Sequence, residues 1–337
     1  MKLLRKILFP FSMAYGGITS IRNYFYDRGW LESKEYEKPI ICVGNLTTGG
    51  TGKSPMIEYL ISILKKDFEI AVLSRGYKRK TSGYKEVFET STVEEVGDEP
   101  LQIKQNFPEV TVAVSADRRN GIEHLQTESD LILLDDAFQH RKVKASLNIV
   151  LTAFDNLYLE DYLLPTGNLR ESRRGIERAD IIVVTKCPTK VPYSKLQEIE
   201  FRIGLLPHQK IYFSRIGYDS QIFGKSESLA LSYLKNKEFT LVTGIANPEP
   251  LIEFLRSKHF KFTHEKFPDH HNFSENDIRL LQKKDLIVTT EKDYMRLQPK
   301  LKKFALYYLP IKTIILKDQE DFFKEMIIDH INNKRLN

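Results

Sequence analysis

The chain has 337 residues, 41% hydrophobic and 28% charged, with a formal net charge of +6 at pH 7. That length gives room for two ordinary domains, and the mixed composition excludes a disordered chain. Two cysteines exclude a disulfide framework, and the basic surplus fits an anionic partner: phosphorylated substrates, an anionic membrane surface or nucleic acid.

Near the N-terminus, Lys2, Arg5 and Lys6 lie ahead of an uncharged stretch from Ile7 to Ile21. Leu4, Ile7, Leu8, Phe11, Tyr15, Ile18 and Ile21 fall near one helical face. Pro10, Ser12, Gly16 and Gly17 interrupt the stretch, which is shorter than the ~20 apolar residues a spanning helix needs. Residues 1–30 therefore read as an amphipathic helix. Its readings are a helix lying in a membrane interface with its basic residues near anionic headgroups, a core or docking helix of the protein body, or a signal peptide, which the basic start and short apolar run resemble.

The apolar run Ile40–Val43 ends in a glycine-rich turn, and Gly52-Lys53-Ser54 opens a helical segment. This is the layout of a P-loop. The backbone N–H groups of Thr47, Thr48, Gly49, Gly50, Thr51 and Gly52 and of the helix N-terminus would cradle phosphates. Lys53 would reach the β- and γ-phosphates, and Ser54 would offer its hydroxyl to Mg²⁺. Pro55 suits the first helical turn, where its missing N–H costs nothing. Thr47 stands where the strict spacing asks for Gly. Such a site weighs against the signal-peptide reading, which would export a nucleotide-binding protein away from cytosolic ATP.

Strand candidates Ile70–Ser74, Val110–Ser115, Asp130–Leu134, Leu147–Thr152 and Ile181–Thr185 alternate with helical stretches. The pattern predicts a parallel α/β core over residues 31–206. The alternation restarts with strands at Lys210–Ile216 and Phe239–Thr243, a helix at Pro250–Lys258, strands at Leu286–Thr290 and Phe304–Pro310, and a closing helix at Phe322–Asn332. Residues 207–337 thus read as a second, smaller α/β domain.

Several strand ends carry polar groups. Arg75, in Ser74-Arg75-Gly76-Tyr77, and Arg170, on a Pro/Gly loop beside Glu171, are each suited to neutralise phosphate or to face solvent. Asp98, in Gly97-Asp98-Glu99-Pro100, suits a helix N-terminus or the acceptance of a proton from an attacking hydroxyl. Asp135 and Asp136 close an apolar strand, and two adjacent acids make sense where a divalent cation offsets their repulsion. Asp269-His270-His271 reads as a metal-binding, acid–base or structural group. Ile182-Val183-Val184-Thr185-Lys186 resembles the guanine-selecting element of GTP-dependent switch or metal-insertion proteins, but Pro188 stands where their Asp is expected. No nucleic-acid-binding motif and no basic block is present, so nucleic acid is not an expected partner.

Taken in order, these motifs resemble the tetraacyldisaccharide 4'-kinase (lipid A 4'-kinase) family. The matching pieces are Gly44 to Pro55, Ser74 to Tyr77, Gly97 to Pro100, Asp135 to Arg141, Leu164 to Glu171, Thr243 to Pro248, Asp269 to Phe273 and Thr290 to Asp293. Ala137 and Ser54 depart from the family's commoner Gly and Thr. The resemblance implies a P-loop NTPase-like kinase core, a second α/β domain, and an N-terminal helix on the cytoplasmic face of the inner membrane. It implies ATP and Mg²⁺ as cofactors and a lipid disaccharide 1-phosphate as substrate, phosphorylated at the 4'-hydroxyl to give lipid IVA. It further implies Asp98 acting with the histidine of the Asp-His motif, placed at His270 with His271 as the alternative. Lys53, Arg75 and Arg170 complete the expected catalytic set, and Ser54, Asp135, Asp136 and Glu171 the expected metal set.

Overall fold

The computed structural model describes residues 5–269, 271–301 and 305–336. At its centre lies β1 (Ile40–Asn45), buried along its whole length, as expected of a parallel strand covered on both faces. The other strands of this sheet are β2 (Ile70–Ser74), β3 (Lys85–Glu86), β4 (Thr111–Val114), β5 (Leu131–Asp135), β6 (Leu147–Ala153), β7 (Ile181–Thr185), β8 (Lys210–Tyr218) and, from the end of the chain, β15 (Ile311–Ile315). Their order is β15-β8-β7-β6-β1-β5-β2-β4-β3. From β8 to β4 neighbouring strands are parallel, and the two edge strands run antiparallel to their neighbours, β3 on β4 and β15 on β8.

Alternation along β1 sends Ile41 and Val43 to one face and Ile40 and Cys42 to the other. The first face packs on Ile57, Leu60 and Leu64 of the helix Lys53–Leu64, and on Phe323, Ile327 and Ile331 of the helix Glu320–Leu336. The second face packs on Phe138, Tyr158, Leu196 and Phe213. Cys42 and Cys187 are free and buried, and burial pushes both thiols up to about 12, which keeps them unreactive.

The remaining strands are β9 (Gln221–Phe223), β10 (Ser228–Ala230), β11 (Glu238–Thr243), β12 (Lys261–Lys266), β13 (Leu286–Thr289) and β14 (Ala305–Tyr308). They form a second sheet in the order β10-β9-β14-β13-β11-β12, parallel from β14 to β12. The α/β class, the central parallel sheet and the helical N-terminus agree with the sequence reading. The units divide elsewhere than at residue 206. The first runs to Ile216 and resumes at Thr313, and the second is Gly217–Lys312. The closing helix, expected in the second domain, belongs to the first because its apolar stripe completes that core.

Phe323→Ala should therefore destabilise the first unit, by about 3–5 kcal/mol for a fully buried aromatic ring. Urea unfolding followed by circular dichroism checks this. A loss under about 1 kcal/mol would mean that the helix only covers the surface.

Candidate functional site

The turn after β1 is shaped by backbone requirements that the sequence meets. Gly52 has φ +90° and begins the helix Lys53–Leu64, a conformation that favours glycine. At Gly44, an added Cβ would lie 2.5 Å from the Phe138 Cβ, so the strand needs glycine where the loop after β5 crosses it. The turn is also held from outside. Thr185 Oγ1 donates to the Thr51 carbonyl (2.7 Å), and Lys186 Nζ donates to the Gly50 carbonyl (2.5 Å). The segment that resembles a guanine-selecting element thus contacts the backbone of the glycine-rich turn. On another side, Thr48 N–H donates to Asn168 O (2.7 Å) and Arg170 N–H to Leu46 O (2.8 Å), while Thr47 bridges Leu169.

Lys53 Nζ donates to Asn45 Oδ1 (3.3 Å) and lies 3.6 Å from Asp136 Oδ1. Arg170 donates to the same Asp136 oxygen at 2.7 Å. Burial pushes Asp136 up, but Lys53 and Arg170 outweigh it and hold the carboxyl below its usual range. Asp135 is different. Burial, then the Glu99 and Asp136 carboxylates, push it up to about 6. Ser74 donates to its Oδ2 (3.0 Å), while Oδ1 is buried with no hydrogen-bond partner. An unpaired buried carboxylate oxygen beside a second carboxylate suits a hard cation, which would supply the missing compensation. Ser54, buried at the start of the helix, is the third candidate ligand. Among the described residues, no group of three or more His, Cys, Asp or Glu side chains has a metal-holding arrangement. The residues at hand therefore fit an ion whose remaining ligands are phosphate and water, as is usual for Mg²⁺.

Glu171 stands apart from this set. It is fully buried, and Arg178 donates to both its oxygens (2.9 and 2.8 Å), Gln139 to Oε1 (3.0 Å) and Asn23 to Oε2 (2.7 Å). Four hydrogen bonds from three donor groups saturate the carboxylate. In place of the metal role expected for it, Glu171 is a counter-ion that fixes Gln139, which also donates to the Asn45 carbonyl (2.9 Å). Arg75 follows β2 and is exposed. Asp98, partly buried, opens the helix Asp98–Asn106 at the same carboxyl edge of the sheet. His271 lies in the second unit, its Nε2 2.9 Å from Asp277 Oδ2, while His270 lies outside the described residues. Sequence reasoning missed Asn45, Arg178 and Arg118. Arg118 is buried and donates to the Ser115 (2.7 Å) and Asp135 (3.1 Å) carbonyls. A lone Arg at a helix start carries no local signal of such a role.

His140 gives a pH signature for this region. Burial, then the Arg118 guanidinium, push it down to about 4, and Asp117, 4.0 Å away, does not offset them. Below pH 6.5 the unfolded chain takes up a proton that the folded ring refuses, so stability is complete above that value and falls as pH drops toward 4. His140→Gln should flatten this acid limb by roughly 2 kcal/mol, read from urea midpoints at several pH values. Parallel limbs for the two proteins would contradict the assignment.

The family model described as "LpxK: Tetraacyldisaccharide-1-P 4'-kinase" matches residues 4–332. A Flavobacterium johnsoniae protein named tetraacyldisaccharide 4'-kinase is 49% identical over 328 residues, covering 96% of each chain. A Flavobacterium psychrophilum protein of the same name is 45% identical, with complete coverage of both chains (100%). Among solved structures, LpxK from Aquifex aeolicus, described as the "apo" form in complex with ATP, superposes with a TM-score of 0.79 at 32% identity, covering 97% of this chain and 99% of that one.

Proposed function

This chain belongs to the tetraacyldisaccharide-1-P 4'-kinase family, and on that premise we propose that it transfers the γ-phosphoryl group of ATP to the 4'-hydroxyl of a tetraacyldisaccharide 1-phosphate, forming lipid IVA in lipid A biosynthesis. The observation that carries the reading is Lys53, held at the mouth of the glycine-rich turn between Asn45 and Asp136. Phosphoryl transfer asks a protein mainly for positioning and charge neutralisation. The N–H groups of Gly49, Gly50, Gly52, Lys53 and Ser54 supply the first, and the Lys53 and Arg170 side chains the second, with Arg75 at the same sheet edge. Ser54, Asp135 and Asp136 would hold Mg²⁺, which when bound would offset the charge of the phosphates.

A sugar hydroxyl is a poor nucleophile at neutral pH, so a base is needed, and we assign that role to Asp98. Its pairing with His270 is part of the same proposal. The N-terminal helix supports a peripheral position on the cytoplasmic face of the inner membrane. Ile7, Phe11, Ile18 and Ile21 are 72%, 66%, 70% and 58% exposed, an apolar face turned outward. No helix among the described residues is long and apolar enough to cross a membrane.

Lys53→Ala should lower transfer by about 10²-fold or more while leaving the fold intact, measured as lipid phosphorylation in detergent beside a circular dichroism spectrum. Near-normal turnover in a folded variant would remove the P-loop assignment. Asp98→Ala and His270→Ala should each lower kcat far more than they raise KM for ATP, and together cost less than the product of the single losses. Full multiplication would assign the two residues independent roles.

A further inference from the structure

The outward-facing helix Phe9–Asp27 is attached to the body by a polar and small-residue face. Ser12 Oγ donates to the Leu163 carbonyl (3.0 Å) and accepts from Thr166 N–H (3.0 Å). A Cβ at Gly16 would lie 2.6 Å from Leu163 Cδ1, so the helix backbone rests directly on this segment. Ahead of the helix, Arg5 donates to the Pro165 carbonyl (3.0 Å) and to Asn168 Oδ1 (3.2 Å). Further along, Tyr15 Oη donates to the Arg170 carbonyl (2.7 Å) and Asn23 Nδ2 to Glu171 (2.7 Å). All these contacts fall on residues 163–171. The same stretch pairs with the phosphate loop through Asn168 O and Arg170 N–H, and its Arg170 side chain holds Asp136 beside Lys53.

We propose that residues 163–171 are a relay between the N-terminal helix and the nucleotide site, so that Arg5, Tyr15 and Asn23 act as positioning residues for ATP although they lie on the membrane-facing element. The helix is then more than an anchor. Its seat sets the position of the backbone that the phosphate loop pairs with, and any force that lifts or rotates the helix acts on nucleotide affinity. Coupling of this kind is reciprocal, so nucleotide binding tightens the seat of the helix in turn. The relay rests on the phosphate-loop reading above, but it makes a separate claim.

The test is the affinity of the full-length protein in detergent, without lipid, for a non-hydrolysable ATP analogue with Mg²⁺, measured by calorimetry. Tyr15→Phe removes one hydroxyl and Asn23→Ala one amide, and neither residue adds to the outward apolar face. Each should weaken nucleotide binding about fivefold, the usual size for one lost hydrogen bond, while the nucleotide-free variant stays fully folded at the assay temperature by circular dichroism. Ile18→Glu, on the outward face, should weaken binding to anionic vesicles and leave nucleotide affinity unchanged. Equal nucleotide affinities for the parent, Tyr15→Phe and Asn23→Ala would overturn the relay and leave the helix an anchor only. A parent protein that binds no nucleotide would overturn the phosphate-loop reading and the relay with it.

Discussion

Asp136 shares one carboxylate oxygen between Arg170 at 2.7 Å and Lys53 at 3.6 Å, and the rest of the site is arranged around that sharing. The residue itself sits at φ +48°, a backbone conformation that is uncommon outside glycine, so surrounding contacts must hold it. Two cations offset the cost of burying the acid, and the acid in turn keeps two cations close together without mutual repulsion. Remove any one of the three and a charge is left in a poorly solvated place. Gln139 extends the arrangement, accepting from Arg170 and donating to the Asn45 carbonyl and to Glu171, itself neutralised by Arg178. The loop after β5, the segment around Arg170 and the glycine-rich turn are thereby fixed as one body.

The N-terminal helix inverts the usual amphipathic logic. A helix on a water-soluble body turns its apolar stripe inward. Here Ser12, Gly16 and Thr19 face the body, and Phe11, Met13, Ile18 and Ile21 face out. Hydrogen bonds and close backbone approach hold the inner face, and the outer face is apolar and exposed. Each exposed side chain would contribute at most about 1.5–3 kcal/mol on leaving water, the energy on which the proposed interfacial position would draw.

Much of this was legible in the sequence because it is local. A buried strand, a glycine turn and Lys53-Ser54 at a helix start are read within fifteen residues, and Asp135 and Asp136 announce themselves at the end of an apolar run. What escaped depends on partners far along the chain. Glu171 looks like a free acid until Arg178, Gln139 and Asn23 are brought to it. The edge strand β12 (Lys-Phe-Thr-His-Glu-Lys) has too little apolar content to be read as a strand, and it exists because β11 offers it a ladder. The closing helix was legible as a helix, but its membership of the first unit follows from a core that only the folded chain assembles. The outward face of the N-terminal helix was legible as a stripe, and its direction was not.

The central claim is that this arrangement of charges moves a phosphoryl group onto one particular hydroxyl of a lipid. The most direct measurement is the position of the product's new phosphate after incubation with γ-labelled ATP, Mg²⁺ and a tetraacyldisaccharide 1-phosphate in detergent micelles. The account predicts a single labelled bisphosphate, with the label on the 4'-oxygen of the distal sugar. Release of ADP and labelled inorganic phosphate with the lipid unchanged, or label on the 1-phosphate, would contradict it.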